Sequence, residues 1–503
     1  MDNRLSRHIG AALLAGSLLS AALLYLGVLN NGFVADTWVF VTPRTLGNTL
    51  SYFFRSIIPD EWEALWLRPI PMLFFWLDGK IWPNTISGPH LVNLLAHIVN
   101  MMLIWRITRF TLRDNDTRQG AVFPAFIATL VYGLHPLAAG SVGWVAARFD
   151  VMNITFGLAG LDFWIRHTAS RKDRRNLIKA ILFLTLCLLS KEQGVVFFAT
   201  AILYTLSGWL FTDSRDRVRL WDVASLAGVI GVYLVWRISV FGGYGGYLTA
   251  RYGLNPALPV YYAVAVLYPF ESAAFDWHAG MTFFAALAAF TGVVSIARLA
   301  EPDRERTVNP RWLITAAGLF IMGLMTTMPH AGMTLPVILR HGEARFALVA
   351  VTGFAFLTGW LVHSIGTSTK ACRIILALVF VWGIASLWRT DIQIQAWDRA
   401  GKTAADIITQ TQKLVPRPPM GSVMIFVDIP RENSHYAYIY GIGLEEAIHH
   451  AYGRSDFKVI RYPKRADFGK ANPARDAVLQ YHKGTGVLER LHGEKRKRNG
   501  NVQ

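Results

Sequence analysis

The chain alternates long apolar segments with short polar stretches, and this pattern predicts helices that cross a membrane. The first apolar segment covers residues 9–29, and a run of about 20 apolar residues spans a bilayer as one helix. Arg4 and Arg7 precede it, and no short apolar core with a small-residue cleavage site is evident. We therefore predict an uncleaved anchor with a cytoplasmic N-terminus.

Ten further apolar segments follow, and Arg and Lys concentrate in alternate loops between them, as in cytoplasmic loops. The pattern predicts an all-α polytopic membrane protein of the cell membrane with about 11 transmembrane helices. Residues 30–89 form a long first outer loop whose amphipathic pieces indicate interfacial helices. The later segments cover residues 90–107, 121–137, 151–165, 180–189, 195–210, 221–240, 281–299, 312–328, 346–365 and 374–387.

The sequence becomes mixed and polar after about residue 388. Residues 422–428 and 458–460 resemble strands, and residues 398–414 and 444–451 resemble helices. We predict three domains: a transmembrane domain over residues 1–388, a small extracytoplasmic α/β domain over 389–490, and a basic disordered tail over 491–503. An odd number of spans places the second domain outside the cell.

Composition excludes several classes of protein. Of 503 residues, 53% are hydrophobic and 17% are charged, with a net charge of +17, which is untypical of a soluble globular protein. The excess positive charge lies in short loops between apolar segments, so we predict no nucleic-acid partner. Cys187 and Cys372 lie in or beside apolar segments, and we expect neither a disulfide nor a thiolate metal site.

Candidate chemistry collects at one end of the predicted helices. Ionisable groups at membrane depth are costly and usually face a cavity. The predicted inner ends carry mostly Arg and Lys in solvated loops, so the asymmetry indicates a polar chamber facing outward. The outer group contains Asp36, Arg68, His90, Asn93, His97, His135, Arg148, Asp150, Lys191, Glu192, His330, Arg340, His341, Glu343 and Arg345.

Some of these residues have two interpretations. Asp36 is either a reactive carboxylate or the N-cap of a helix beginning at Thr37. Arg148 and Asp150 are either site residues or a mutual ion pair. Lys191 and Glu192 interrupt an apolar run, which burial in lipid does not explain, so we favour a functional role for this pair.

The histidines of this group also have two interpretations, as metal ligands or as packed side chains. His90, Asn93 and His97 share one helix face because they are spaced i, i+3, i+7. A metal there would need a further ligand from elsewhere in the chain, so packed, hydrogen-bonded histidines are the alternative. His135-Pro136 ends a helix.

Six features occur in an order that resembles the membrane part of the transmembrane and tetratricopeptide-repeat O-mannosyltransferases, and more broadly the GT-C superfamily of lipid-linked-sugar glycosyltransferases. The resemblance covers about residues 25–365. The features are Asn31-Gly32-Phe33-Val34-x-Asp36, Arg68-Pro69, His90-x-x-Asn93-x-x-x-His97, His135-Pro136 with Trp144-Val145-x-x-Arg148-x-Asp150, Ser190-Lys191-Glu192-Gln193-Gly194, and Glu343-x-Arg345-Phe346.

Two departures limit what the resemblance implies. The related enzymes often carry two adjacent acidic residues in the first outer loop, whereas Ala35 and Thr37 flank a single Asp36 here. The chain also lacks helical repeats of about 34 residues after its membrane part. The resemblance therefore predicts no metal ligands, leaves a divalent cation as an open alternative, and does not identify the acceptor as protein, lipid or polysaccharide.

The resemblance implies an inverting transferase that uses a polyprenyl-phosphate monosaccharide at the outer face of the membrane. Asp36 would be the general base, because the attacking hydroxyl must lose a proton. The lipid phosphate would be stabilised by cations, which Glu192, Asp150 and Glu343 would orient and His90, Asn93 and His135 would support. These cations are Lys191, Arg148, Arg345 and Arg68.

Three alternatives have different activities. A lipid-linked glycan transporter or flippase predicts polar residues at mid-membrane and at both ends, often with internal repeats. A polysaccharide polymerase or ligase shares the lipid-linked donor but transfers a whole glycan. A receptor or scaffold with a vestigial site would have the same sequence features and no activity.

Overall fold

The chain is mostly helical and forms two compact units in a computed structural model. The helical unit comprises residues 1–30 and 43–395, and the α/β unit comprises 31–42 and 396–503. The short segment 31–42 thus belongs to the unit formed by the C-terminal part of the chain. The structure describes residues 3–58, 65–83, 85–112, 121–170, 174–211, 220–243, 255–267, 310–328, 342–365, 370–434, 437–462 and 476–491.

The helical unit is built from helices that pack around one extended apolar core. Glycines allow close helix contacts: a Cβ added to Gly323 would lie 2.6 Å from the Ala350 nitrogen. The helices are α1 (Asn3–Tyr25), α3 (Leu46–Leu50), α4 (Pro69–Ile81), α5 (Ser87–Thr111), α6 (Val122–Gly133), α7 (Pro136–Gly143), α8 (Arg148–Ala169), α9 (Arg174–Leu188), α10 (Val195–Phe211), α11 (Leu220–Phe241), α12 (Leu258–Leu267), α13 (Pro310–Met325), α14 (Leu348–Ile365) and α15 (Lys370–Leu414), which continues into the α/β unit.

Five helical segments in the described part of the chain are long and apolar enough to cross a membrane, and a bent pair, α6 and α7, raises the number to six. The prediction of about 11 spans therefore stays a prediction. Part of the difference has a physical reason: α8 carries Arg148, Asp150, Asp162 and Arg166, and these charges lower its hydropathy although most of its length is buried. The predicted span at residues 281–299 lies outside the described residues.

The bend between α6 and α7 measures 59° and follows from His135-Pro136. Proline disfavours helical backbone in the residue before it, and His135 has φ −71° and ψ 127°. Its Nδ1 accepts a hydrogen bond from the Leu137 N–H at 3.2 Å, which caps α7. The bend brings the following segment, Val145–Ala147 and the start of α8, into the site described below.

The α/β unit contains α2 (Thr37–Val41), α16 (Leu444–Tyr452) and a four-stranded sheet in the order β2-β1-β3-β4. β1 (Val423–Val427) and α16 lie where the sequence pattern predicts a strand and a helix, and β2 (Lys458–Tyr462) extends the second predicted strand. β1 is parallel to both β2 and β3 (Ala477–His482), and β3 is antiparallel to β4 (Val487–Leu491). The sequence analysis did not identify this last hairpin, although β3 alternates buried and half-buried residues.

Candidate functional site

A tight turn between α9 and α10 carries Lys191 and Glu192. The Lys191 N–H donates to the Cys187 carbonyl at 3.1 Å, and the Gly194 N–H donates to the Lys191 carbonyl at 2.9 Å. Asn153 of α8 donates to the same two carbonyls, of Cys187 at 3.0 Å and of Lys191 at 3.1 Å. The turn is therefore fixed to α8 by an amide side chain.

Asp150 lies between two cations that come from distant parts of the chain. Its Oδ1 binds the Lys191 ammonium in a buried ion pair, and its Oδ2 lies 3.5 Å from Nε of Arg345. Lys191 and Asp150 are 2% and 4% exposed. A carboxylate shared in this way keeps two positive charges close together, which would otherwise repel each other.

Aromatic rings complete the surroundings of these two cations. The Phe346 ring centroid lies 4.6 Å from Lys191 Nζ and also 4.6 Å from the Arg345 guanidinium carbon, and Trp144 lies 4.5 Å from the same carbon. Gln193 donates to the Phe346 carbonyl at 3.1 Å. The Lys-Glu-Gln-Gly turn and the Glu-x-Arg-Phe segment, identified separately in the sequence, are thus parts of one site.

Glu192 lies between two arginines in a second ion-pair cluster. Arg68 donates to Glu192 Oε2 from Nε at 3.0 Å and from Nη2 at 2.7 Å, while Arg237 of α11 donates to Oε1 at 3.2 Å. Arg237 also donates to the Tyr233 hydroxyl at 2.8 Å. Arg68 and Arg237 are 2% and 4% exposed.

The sequence analysis did not single out Arg237. It lies within the apolar segment 221–240, and an ionisable residue inside such a segment is by itself a signal of function. α11 is otherwise largely exposed, and its buried residues are Leu226, Tyr233 and Arg237. α11 therefore contacts the Glu192 cluster through one turn of helix, from Tyr233 to Arg237.

The two clusters bring several cations close together. Among the side chains that the structure describes, four cations (Arg68, Lys191, Arg237 and Arg345) pair with two carboxylates (Asp150 and Glu192). Cations held this close together are suited to bind an anionic ligand such as a phosphate.

Arg148 has a different environment from that of the other cations. Its guanidinium forms a buried ion pair with Asp78 of α4, and it donates to Asn93 Oδ1 at 3.0 Å and to the Pro89 carbonyl at 2.8 Å. The mutual ion pair of Arg148 and Asp150, which their spacing in sequence allows, does not form. Arg148 pairs with Asp78 instead, and Asp150 pairs with Lys191. Arg148 is 0% exposed. Its contacts hold α8, to which it belongs, against α4 and α5.

The polar face of α5 connects this helix to its neighbours. Asn93 donates to the carbonyls of Ser141, Trp144 and Val145 at 3.2–3.4 Å. His97 bonds the Gly133 carbonyl at 3.1 Å and stacks on Tyr132 at 5.2 Å. His90 is 1% exposed.

His135 uses both ring nitrogens. Besides capping α7 through Nδ1, its Nε2 lies 2.9 Å from the Val266 carbonyl, to which it donates as the neutral tautomer. These contacts correspond to the interpretation of packed, hydrogen-bonded histidines. Among the described residues, no group of three or more His, Cys, Asp or Glu side chains is arranged to hold a metal ion.

Asp36 belongs to the α/β unit. It immediately precedes α2, which begins at Thr37 as the sequence pattern predicts, yet its side chain makes no capping hydrogen bond. Asp36 as a whole is 6% exposed. The preceding residue, Ala35, has a φ of +49°, which is uncommon for a residue other than glycine and indicates local strain.

Four predicted site residues lie wholly or partly outside the described residues. His330, Arg340 and His341 lie outside the described residues, and so does the side chain of Glu343, whose backbone belongs to a 3-10 helix over Gly342–Ala347. In the helical unit, the described candidate residues form the Lys191, Asp150 and Arg345 cluster, the Glu192 cluster and the Arg148 cluster. Asp36 is the described candidate residue of the α/β unit.

Comparison with curated proteins confirms the resemblance to the O-mannosyltransferases. The Caenorhabditis elegans protein O-mannosyl-transferase F38B6.6 is 26% identical over 186 residues, which cover 35% of this chain and 26% of that protein. The Drosophila melanogaster protein O-mannosyl-transferase Tmtc1 is 26% identical over 229 residues, covering 44% and 26%, respectively. Mouse TMTC2 is 28% identical over 202 residues, covering 37% and 23%. The matched region thus spans about a quarter of each relative.

No family model matches the chain. Among solved structures, ArnT from Cupriavidus metallidurans bound to undecaprenyl phosphate aligns over 94% of this chain and 93% of its own, with 12% identity and a TM-score of 0.48. The Archaeoglobus fulgidus oligosaccharyltransferase AglB, in complex with an inhibitory peptide and a dolichol-phosphate, aligns over 91% and 65%, with 12% identity and a TM-score of 0.45.

Proposed function

We propose that this protein is a membrane glycosyltransferase that moves a monosaccharide from a polyprenyl-phosphate carrier to an acceptor hydroxyl, with inversion at the anomeric carbon. The observation that carries the proposal is that Asp150 and Glu192 hold four cations, Lys191, Arg345, Arg68 and Arg237, close together in two ion-pair clusters. The names of the curated relatives favour a mannosyl group as the sugar and a protein hydroxyl as the acceptor.

The reaction breaks one bond and forms one. The acceptor oxygen attacks the anomeric carbon, the bond from that carbon to the phosphate oxygen breaks, and the lipid phosphate leaves with the bonding electron pair. The acceptor proton passes to the Asp36 carboxylate, which acts as general base. The strained backbone of Ala35, directly before Asp36, supports this role because such strain is concentrated at active sites.

The cations have different roles in this reaction. Lys191 and Arg345 stabilise the negative charge that develops on the leaving phosphate, and Arg68 adds to their potential. Asp150 and Glu192 hold these side chains in place before the donor binds, which removes the cost of ordering them during the reaction. Arg148, whose guanidinium is occupied by Asp78 and Asn93, fixes the helices around the site.

The active site faces the extracytoplasmic side in this proposal, with the N-terminus in the cytoplasm and the C-terminal domain outside. The donor is a lipid of the same membrane.

The test is transfer by the purified protein in nanodiscs, with a panel of radiolabelled polyprenyl-phosphate sugars and an envelope extract as acceptor. Wild type should move label, and Asp36→Asn should lose transfer by at least about 10³-fold, within the usual range for a catalytic base. Asp398→Asn is the matched control, because Asp398 pairs with Lys402 on the exposed face of α15.

Each result has a separate meaning. Full transfer by folded Asp36→Asn would show that another group is the base. Transfer of a whole glycan rather than one sugar would identify a polymerase or ligase. Movement of labelled lipid across proteoliposomes without any transfer would identify a flippase.

A further inference from the structure

The turn at Gly443 closely contacts the backbone that carries Asp36. The Ala35 N–H donates to the Ile439 carbonyl at 2.7 Å. A Cβ added to Gly443 would lie 2.1 Å from the Ala35 carbonyl oxygen and 3.2 Å from the Asp36 nitrogen. Gly443 also has a φ of +81°, a conformation that glycine adopts readily and alanine does not. Only glycine fits this position without moving the Asp36 loop.

A second glycine contact holds the beginning of the same segment. Gly401 lies within α15, and a Cβ added there would be 2.5 Å from the Gly32 nitrogen. Glycine is a poorer helix former than alanine. Its presence at this point of a long helix is explained by the close approach of segment 31–42.

The part of the α/β unit that receives this segment is itself firmly held. The Ile439 N–H donates to the Arg431 carbonyl at 2.8 Å, and the Tyr440 hydroxyl donates to the Ala404 carbonyl at 3.1 Å. Beyond Asp36, the Trp38 ring packs on His450 of α16 with centroids 5.2 Å apart. Asp36 therefore lies in a segment that is fixed to the α/β unit on both sides.

We infer that the α/β unit is the template that sets the direction of the Asp36 carboxylate, with Gly443 and Gly401 as positioning residues. The inference rests on the proposed function, which makes Asp36 the base. Strained backbone such as that of Ala35 persists where its surroundings hold it in place, and the Gly443 turn supplies those surroundings. The C-terminal domain thereby contributes to transfer by orienting the base.

The experiment compares five glycine variants of the full-length protein in nanodiscs. Gly443→Ala and Gly401→Ala place a methyl group against segment 31–42. Gly453→Ala, at the other end of α16, has the same kind of positive φ (+63°) but meets no atom within 4 Å. Gly441→Ala, in the same turn, and Gly383→Ala, in the same helix as Gly401, also meet nothing within 4 Å. The three controls separate backbone strain and helix propensity from displacement of the loop.

Two readouts are needed. Hydrogen exchange followed by mass spectrometry reports protection of the amides of residues 31–42, including the Ala35 N–H, and does not depend on activity. Steady-state kinetics reports kcat and the KM for the donor. For Gly443→Ala and Gly401→Ala we expect faster exchange in residues 31–42 and a fall of at least tenfold in kcat, with the donor KM within twofold of wild type. The three controls should match wild type in both readouts.

The outcomes distinguish this inference from the proposed function. If Asp36→Asn is inactive but Gly443→Ala and Gly401→Ala keep full kcat, Asp36 is still the base and the positioning role is wrong. If Gly453→Ala loses as much kcat as Gly443→Ala, the effect is general destabilisation and the inference is also wrong. If folded Asp36→Asn keeps full transfer, the proposed base is wrong, and hydrogen exchange alone then reports whether the template exists. Gly401→Ala keeps the test decisive should Gly443→Ala fail to fold.

Discussion

Lys191 and Phe346 face each other within the helical unit, with the Lys191 ammonium 4.6 Å from the centroid of the Phe346 ring. The same ring lies 4.6 Å from the guanidinium carbon of Arg345. One aromatic side chain thus supports both cations that Asp150 binds. Since each cation–π contact contributes about 0.5–2 kcal/mol, this ring should influence donor binding.

We therefore predict that Phe346→Leu raises the KM for the donor roughly 3–10-fold, because a change of 1.4 kcal/mol corresponds to a factor of ten. Phe356→Leu is the matched control. Phe356 is also fully buried, but its neighbour is the Trp312 ring, 4.9 Å away. Both variants should lose about 1 kcal/mol of stability from altered packing, so equal changes in KM would contradict a specific role for Phe346.

The contact of Arg237 with Glu192 gives a second prediction. Arg237→Met leaves Glu192 with Arg68 alone, and kcat/KM should fall roughly 5–10-fold, since a hydrogen bond to a charged group is worth about 1.5 kcal/mol and Glu192 is partly exposed. Arg237→Lys should recover part of this loss. Val235→Ala, at a side chain that is 67% exposed on the same helix, should have no effect. A wild-type kcat/KM for Arg237→Met would show that Arg68 alone positions Glu192.

The buried pair of Arg148 and Asp78 gives a third prediction, concerning stability. Asp78→Asn leaves the Arg148 charge without its partner and should lower the free energy of unfolding by about 3–5 kcal/mol. The double variant Asp78→Leu with Arg148→Met should recover much of that loss, because replacing both partners of a buried pair with apolar groups is often near neutral.

Thermal unfolding in detergent measures this change, and donor binding by the folded fraction shows what Arg148 does. Retained donor binding by the double variant is expected of a residue that fixes helices. Loss of donor binding by a well-folded double variant would instead place Arg148 in contact with the phosphate.

A fourth prediction concerns the glycine of the Lys-Glu-Gln-Gly turn. A Cβ added to Gly194 would lie 2.8 Å from both Cα and the nitrogen of Leu188. Gly194→Ala must therefore move the turn away from α9, with a loss of about 1–3 kcal/mol of stability and weaker donor binding. Gly231→Ala in α11, where nothing lies within 4 Å, is the control. Unchanged stability and donor binding in Gly194→Ala would show that the turn adapts without cost.

The sequence pattern singles out individual charged residues but does not predict their partners. Lys191, Asp150 and Arg345 are each candidates because charged residues are costly at membrane depth, and the structure brings them together. The pairing itself was not accessible from the sequence, since Lys191 and Asp150 lie 41 positions apart. Local spacing suggested Arg148 as the partner of Asp150, but the tertiary packing of α4 supplies Asp78 to Arg148.

The fold also has some features that follow from local sequence and others that depend on residues far apart in the chain. The bend at His135-Pro136 and the start of α2 at Thr37 follow from proline geometry and local pattern, and both occur in the structure. By contrast, nothing near Asp36 in sequence indicates that its segment packs on Gly443. That contact depends on two glycines, Gly443 and Gly401, whose neighbours in space are more than 350 residues away in the chain.

The distance along the chain between Ala35 and Gly443 has a consequence for biosynthesis. A ribosome adds about 5–20 residues per second. The Gly443 turn, which packs against the Ala35 carbonyl, is therefore made roughly 20–80 s after Ala35 itself. During this interval the segment that carries Asp36 has already been made, while the surface on which it packs has not. A nascent chain can thus insert its first helices in the membrane well before it can arrange Asp36, and the protein gains its proposed activity only after Gly443 has been made.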